Sequence, residues 1–295
     1  DENGKEFLDS PISIRTAEIE KDGTLFSSVG ATLVKDSIPE EEVEETRAKS
    51  GALMASLQNS HSTPPPQMLT RLTNDDEIVE TLVQRNQTLS NFWFFRQQKK
   101  KMISEDGRQL EITMIDNEDE FVCMLGHMFS SLGIKNKIVR YSDYDINKDS
   151  SDITLVGPGP GNPNSQTSEK MILNRNIIDK LLKKKKPALF ICLGNQLLCS
   201  QLGFKVMRKD MPLQGTQLKV NLFGEEELVG FYNTFAGIAE DSEYELATNP
   251  ESKEIAAIRW NHFVGFQFHP ESILSQNGLT ILQDAVLHIL KYRKF

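Results

Sequence analysis

The run Pro187-Ala-Leu-Phe-Ile-Cys-Leu-Gly-Asn-Gln-Leu-Leu-Cys-Ser-Gln-Leu-Gly203 constrains this chain more than any other. Four apolar residues follow a proline, and Gly194 comes just after Leu193, so the pattern predicts a buried strand feeding a helix that ends at Gly203. Cys192 falls in the turn between them. A thiol at such a turn is presented outward, where the free N–H groups and positive dipole end of the first helical turn favour its thiolate. The same residue also suits the role of a small buried hydrophobe, so a nucleophile needs a base to be argued. His269 stands in Val-Gly-Phe-Gln-Phe-His-Pro-Glu-Ser, directly after alternating strand residues and two positions before Glu271. A strand-end imidazole with that carboxylate beside it completes the parts of a Cys–His–Glu triad, the glutamate fixing the ring's tautomer.

A length of 295 residues suggests two units, or one domain with an appendage. The net charge of -9 argues against non-specific nucleic-acid binding, and no apolar run approaches the roughly 18 residues needed to cross a membrane. Three cysteines without close pairing fit a reducing compartment, and no secretory pattern is present, so the expected location is cytoplasmic. The chain opens in Asp-Glu-Asn-Gly without an initiator methionine and is expected to be a fragment or a processed piece.

Residues 1–58 offer two strand-like runs, 12–19 and 31–34, and one helix over about 40–57. That set buries too little apolar surface to stand alone. The helix opens with cap residues, Pro39 and a run of glutamates, which suits its positive end. Glu42, Glu45 and Lys49 share one face, which read by itself is a solvated face with an i,i+4 ion pair. Residues 59–108 form a connector: a proline-rich opening, a helical pattern through Ile78, Leu82, Leu89, Phe92 and Phe95, and the basic run of Lys99, Lys100 and Lys101. The aromatic cluster at 92–95 reads as hydrophobic docking on a neighbouring domain.

Residues 109–295 read as an α/β domain with an open, mainly parallel sheet flanked by helices. Strands are expected over 111–115, 137–141 and 152–156, and helices over about 116–132 and 168–186. The third strand runs into Gly157-Pro-Gly-Pro-Gly-Asn-Pro163, a rigid loop at the carboxyl edge of the sheet, where sites of α/β domains lie. It lacks the Gly-Lys-Ser/Thr ending of a phosphate loop. Lys183, Lys184, Lys185 and Lys186 end a helix, where cations complement the dipole.

Four segments together carry a resemblance: Ile115-Asp-Asn with Phe121, the 157–163 loop, Cys192-Leu-Gly-Asn-Gln196, and His269-Pro-Glu271. In this order and at these separations, residues 111–290 resemble the class I, triad-type glutamine amidotransferases. The resemblance implies that Cys192 attacks the carboxamide of glutamine, His269 acts as base and then acid, and Glu271 orients His269. It implies an oxyanion site at the N–H groups of Gly159 and Leu193, and glutamine positioned by Gln196 and the backbone of Gly161, Thr234 and Phe235. Two residues depart from the family pattern. Phe190 replaces the usual glycine two before the nucleophile and is expected to strain or reposition the turn, and Asn195 replaces a histidine. His127 and His262 lie in other segments and read as packing or surface residues.

The N-terminal residues, Ser13-Ile-Arg-Thr-Ala-Glu18 and Val29-Gly-Ala-Thr-Leu-Val-Lys with the helix that follows, resemble the last segment of the chorismate-binding synthases. By that resemblance Arg15, Gly30 and Lys49 contact chorismate, and Glu45 with Glu42 binds Mg²⁺, the remaining ligands and acid–base residues belonging to sequence before Asp1. No cofactor is implied for the amidotransferase domain. The segments 213–224 and 229–235 resemble the amidotransferase half of phenazine-pathway synthases that make 2-amino-2-deoxyisochorismate. Glutamine-dependent amination of chorismate is therefore the expected activity, with glutamine and chorismate as ligands and a homodimer allowed. A fused anthranilate synthase, which also eliminates pyruvate, is the alternative, and a non-catalytic remnant or regulatory binding subunit is the alternative of another class.

Overall fold

A computed structural model describes residues 17–31, 37–58, 75–94 and 107–292, with side chains of the first helix described through residue 51. The chain divides into two compact units, residues 1–80 and 81–295. In the first, β1 (Glu18–Ile19) pairs antiparallel with β2 (Leu25–Phe26), and α1 spans Pro39–Gln58 with three glutamates in its first turn. Of the strand expected over 12–19, residues 17–19 are described, and 18 and 19 are in β1. Ala31 is not in a strand, and the rest of the 31–34 run lies outside the described residues, as do residues 59–67, Phe95 and the three lysines at 99–101.

The helical pattern of the connector resolves into α2 (Asp76–Asn86) and the short α3 (Asn91–Phe94). Asp75 caps α2, its Oδ1 accepting the N–H groups of Glu77 and Ile78 at 3.1 and 3.2 Å. Seven strands then build the main sheet: β3 (Glu111–Asp116), β4 (Lys135–Arg140), β5 (Ile153–Val156), β6 (Ala188–Ile191), β9 (Glu245–Thr248), β10 (Ile255–Trp260) and β11 (Phe263–Phe266). Among the described residues the order is β4-β3-β5-β6-β11-β10-β9. The five strands from β4 to β11 run parallel, and β10 and β9 continue the sheet antiparallel. The connecting helices are α4 (Phe121–Ser131), α5 (Glu169–Lys184), α6 (Leu193–Gln201) and α7 (Gly278–Leu290).

β6 shows why the chain folds this way. Its four residues are all buried, as a strand covered on both faces requires. Leu189 and Ile191 enter one apolar cluster with Met114, Leu155, Phe266 and Leu282, whereas Ala188 and Phe190 enter a second with Ile115, Val156, Ile178 and Leu197. Phe190 stands two before Cys192, where a strained or repositioned turn is expected. It lies opposite Gly265 in the parallel ladder, fully buried and edge-on to Phe263 at 6.3 Å between ring centroids.

A long hairpin stands apart from this ladder. β7 (Val206–Leu222, 17 residues) and β8 (Glu225–Gly237, 13 residues) pair antiparallel around Phe223 and Gly224, both of positive φ, as the right-handed strand twist favours at a two-residue turn. One isolated bridge, Gly230 to His269, joins β8 to the segment after β11.

Beneath the strands Asp149 ties the β4–β5 loop to three elements. Its carboxylate accepts from Thr113 (2.9 Å), Tyr144 (2.8 Å), Thr154 (2.8 Å) and the Lys186 ammonium (2.6 Å). Burial alone would raise the Asp149 carboxyl's pKa; the Lys186 and Ser151 hydrogen bonds outweigh it and hold the group well below the usual range. Lys186 ends below its own ordinary value, because for it burial outweighs the attraction of Asp149. The stability contributed by the depressed carboxyl is present above about pH 4 and is lost as pH falls through its folded value. Asp149→Asn, which leaves Lys186 half-buried without its counter-ion, is expected to cost about 3 kcal/mol in urea unfolding at neutral pH, the difference from the parent shrinking towards pH 3.

Candidate functional site

β6 delivers Cys192 to the carboxyl edge of the sheet, and the chain reverses there into α6. Cys192 has φ 51° and ψ -101°, a conformation that side-chain-bearing residues rarely adopt. Two contacts hold it. The Cys192 N–H donates to the Phe266 carbonyl at 2.8 Å, continuing the ladder past β6. Gly194 lies so close to β5 that a Cβ would sit 2.2 Å from the Val156 carbonyl oxygen. This approach is what requires glycine in Cys-Leu-Gly. Leu193 opens α6, so its N–H is among the first four of the helix that have no intrahelical acceptor.

His269 and Glu271 arrive on the segment after β11. They are 1% and 0% exposed, and His269 Nδ1 meets Glu271 Oε1 at 2.8 Å. The ring packs between Phe121 and Tyr232, with centroids at 4.6 and 5.1 Å. Its main chain is fixed by the His269 N–H donating to the Gly230 carbonyl (2.9 Å) and by the Ser275 hydroxyl donating to the His269 carbonyl (2.5 Å). Nε2 is buried and has no hydrogen bond in this geometry, while the Cys192 sulfur lies near enough to act on its charge. Burial pushes the imidazole's pKa down, but Glu271 and Cys192 more than reverse this and leave it well above the ordinary value. An imidazole so placed beside a cysteine sulfur is the arrangement in which sulfur attacks and nitrogen returns a proton.

A cleft of about 930 Å³ opens onto these groups, lined among others by Gly159, Gly161, Gln196, Tyr232, Thr234 and Phe235. Gly159 is pinned from behind: a Cβ there would fall 2.4 Å from the Asn117 carbonyl oxygen, and Asn117 donates to the Gly157 carbonyl at 3.0 Å. Asn117 thus anchors the glycine loop from the end of β3. Gln196, in the first turn of α6, donates from Nε2 to the Phe235 carbonyl at 2.8 Å. All nine residues expected here gather at one end of the sheet, Leu193 as the buried first residue of α6 next to Cys192.

Two residues without an expected role also belong to the site. The Cys192 sulfur approaches the Tyr232 carbonyl at 3.7 Å, and Gln267 Nε2 lies 3.8 Å from that sulfur. Period-two spacing was the available signal, since Gln267 precedes His269 by two and Tyr232 precedes Thr234 by two. Asn195 stays outside the cleft. It is fully buried over Gly265, where a Cβ would sit 2.3 Å from its Oδ1, and neither of its amide atoms has a partner among the described residues. His127 is exposed and stacks on Trp93, and the His262 imidazole, half-buried, is pushed down by burial.

In the first unit Lys49 bridges Glu45 at 2.9 Å and donates to the Gly30 carbonyl at 3.1 Å. Glu42 lies one turn before Thr46, whose hydroxyl donates to the Glu42 carbonyl. Arg15 lies outside the described residues. Among those described, no three histidine, cysteine or carboxylate side chains converge as a metal site requires, and Glu45 is already paired with Lys49. The donors present do not by themselves fit a magnesium ion. No helix of the described residues is long and apolar enough to cross a membrane.

A cysteine on a strained strand-to-helix turn, facing a His–Glu pair and a glycine loop on an open α/β sheet, defines a triad-type amidotransferase domain. Residues 113–289 match the class-I glutamine amidotransferase family, and the chain belongs to that family. Residues 3–55 match the chorismate binding enzyme family. The chain is 35% identical over 298 residues to proteins named "Anthranilate synthase, phenazine specific" from Pseudomonas chlororaphis and Pseudomonas fluorescens. Those alignments cover 98% of this chain and 46% of each relative, so the chain spans about half the length of the proteins it matches. The anthranilate synthase component 2 of Helicobacter pylori is 28% identical over 194 residues, 60% of this chain and 96% of that protein. A crystal structure described as a GMP synthase component from Thermoplasma acidophilum shares the fold, with a TM-score of 0.54 at 22% identity over 63% of this chain and 96% of that one.

Glu271→Gln is expected to lower the His269 pKa, because neutralising the carboxylate removes its attraction and leaves the effect of burial; an NMR titration of the ring measures it. Asn195→Leu, which replaces a buried unpartnered amide by an apolar side chain of similar volume, is expected to raise the unfolding free energy by about 1 kcal/mol in urea.

Proposed function

We infer that residues 109–295 form a glutaminase that supplies ammonia, that residues 1–58 form the C-terminal part of a chorismate-binding domain, and that 59–108 connect the two. Cys192 attacks the carboxamide carbon of glutamine as thiolate, and the tetrahedral oxyanion is held by the N–H groups of Gly159 and Leu193. His269 gives its proton to the departing nitrogen, the C–N bond breaks, and ammonia leaves a thioester on Cys192. His269 then takes a proton from water, which attacks the thioester and releases glutamate. Glu271 keeps the ring in the tautomer that serves both steps. Gln196 and the backbone of Gly161, Thr234 and Phe235 position glutamine. What carries this reading is the 2.8 Å His269–Glu271 pair set against a cysteine at φ 51° on a helix N-terminus.

The ammonia is passed to chorismate, giving 2-amino-2-deoxyisochorismate. Support comes from the match over residues 3–55 and from identity to the phenazine-specific relatives across both parts of the chain. Arg15, Gly30 and Lys49 contact the substrate. Glu45 and Glu42 would join a magnesium ion only with further donors, so no step is assigned to the ion. A cytoplasmic location fits three cysteines without a disulfide among them.

Cys192→Ser is expected to abolish glutamine hydrolysis, at least a thousandfold in kcat, and to prevent labelling by a thiol-reactive glutamine analogue. In the complete protein the ammonia-dependent reaction should persist. Full glutamine-dependent activity in that variant would overturn the triad. Product mass separates retention of the pyruvyl group from its loss as in anthranilate formation.

A further inference from the structure

The end of the connector is hydrogen-bonded to the segment that carries the triad. The Ser90 N–H donates to the Ile273 carbonyl at 2.8 Å, and the Asn91 N–H to the Gln276 carbonyl at 2.9 Å. Asn91 Nδ2 donates to Asn277 Oδ1 at 2.9 Å, and Gln276 Nε2 returns a bond to the Gln87 carbonyl at 2.6 Å. Gln217 of β7 donates to both the Thr88 and Leu274 carbonyls, at 2.6 and 2.8 Å. The last of these bonds reaches the triad itself: Trp93 Nε1 donates to the main-chain carbonyl of Glu271 at 2.8 Å. The indole is held in turn by stacking on His127 at 5.6 Å and by Phe92, 2% exposed, edge-on at 4.8 Å.

This bond matters because of how little else holds Glu271. Its side chain is fully buried, Oε1 meets His269, and Oε2 has no partner among the described residues. A carboxylate with a single hydrogen bond cannot orient itself, so its aim at the imidazole depends on where its main chain sits. That main chain is gripped by the Trp93 indole.

We propose that Trp93 is a positioning residue of the triad, the connector's indole N–H fixing the Glu271 main chain so that the carboxylate stays in line with His269 Nδ1. The proposal rests on the glutaminase reading of the site. The groups that titrate and face His269 are Cys192, Glu271 and Tyr232, with Glu118, Asp119, Glu120 and Cys123 along the same cleft, and none of them touches Trp93 through a charged atom.

The test is Trp93→Phe in the 295-residue chain, which keeps an aromatic ring against His127 and Phe92 and removes the N–H together with part of the indole's bulk, a packing loss that the His127 variant below controls for. The kcat for glutamine hydrolysis is expected to fall roughly tenfold to a hundredfold with little change in KM. The high-pH limb of kcat should move towards neutrality, because an ill-aimed Glu271 stabilises the imidazolium less. The His269 pKa, read by NMR titration, should fall as well. His127→Ala serves as the comparison: it loses the stack, keeps the N–H, and should lower the Tm while leaving the His269 titration in place. An unchanged His269 titration in Trp93→Phe overturns the proposal, as does an equal shift in His127→Ala. If the parent chain does not hydrolyse glutamine, the function proposed above fails on its own, and the two titrations still decide whether Trp93 positions Glu271.

Discussion

Everything at the site depends on the backbone of Cys192 being held in a conformation it would not choose. A residue with a Cβ at φ 51° and ψ -101° costs on the order of 1–3 kcal/mol, and it persists only where its surroundings leave no alternative. Here the N–H is committed to the Phe266 carbonyl on one side, and two residues later Gly194 lies against the Val156 carbonyl on the other. The elbow is therefore a property of three adjacent parallel strands, β5, β6 and β11. The same strands bring the glycine loop, the thiol and the imidazole to one edge. Packing on both sheet faces supplies the stability that the elbow spends, and the cluster containing Phe190, Val156 and Leu197 lies directly beneath it.

The electrostatics of the site follow from its dryness. His269 at 1% exposure and Glu271 at 0% lie beyond the screening of water, so burial presses strongly on the imidazole, and only Glu271 and Cys192 acting together outweigh it. Cys199, seven residues after Cys192 and inside α6, is in a setting without such neighbours. It is fully buried with no cationic neighbour, and burial pushes its thiol up to about 12. The two cysteines thus differ in setting: Cys192 is on the elbow facing a base, and Cys199 faces Gly237 in the core.

Much of this was legible in the sequence, for reasons that can be stated. Ala188 to Ile191 read as a strand because a doubly covered strand is apolar at every position, and the glycines at 157, 159 and 194 read as a tight loop and elbow because no Cβ fits there. Cys192, His269 and Glu271 could be paired because their local signals, an elbow and a strand end, were independent of each other. The antiparallel strands β9 and β10 had no comparable signal, since β9 is a short, mostly uncovered edge strand and β10 carries two alanines where larger apolar residues would mark a strand. Tyr232 acts through a main-chain carbonyl and Trp93 through one indole N–H, and neither role follows from residue type at that spacing. The packing of Asn195 over Gly265 was hidden for a related reason, since it depends on strands brought together in a register that no local pattern discloses.

The β7–β8 hairpin has its own ladder and meets the segment after β11 through the Gly230–His269 bridge and a few further hydrogen bonds, such as that from the Gln276 N–H to the Leu228 carbonyl. A separate ladder is a separate unit of opening in native-state hydrogen exchange, able to part from its neighbours while the amides of β3, β5, β6 and β11 remain protected. Each such opening would carry Tyr232 away from the imidazole and unroof the cleft. A ligand that touches the hairpin at Thr234 and Phe235 and the sheet at Cys192 binds only the closed form, so its binding energy adds to the stability of that one substructure. Slower amide exchange across β7 and β8, with little change in the central strands, would be the thermodynamic mark of an occupied site.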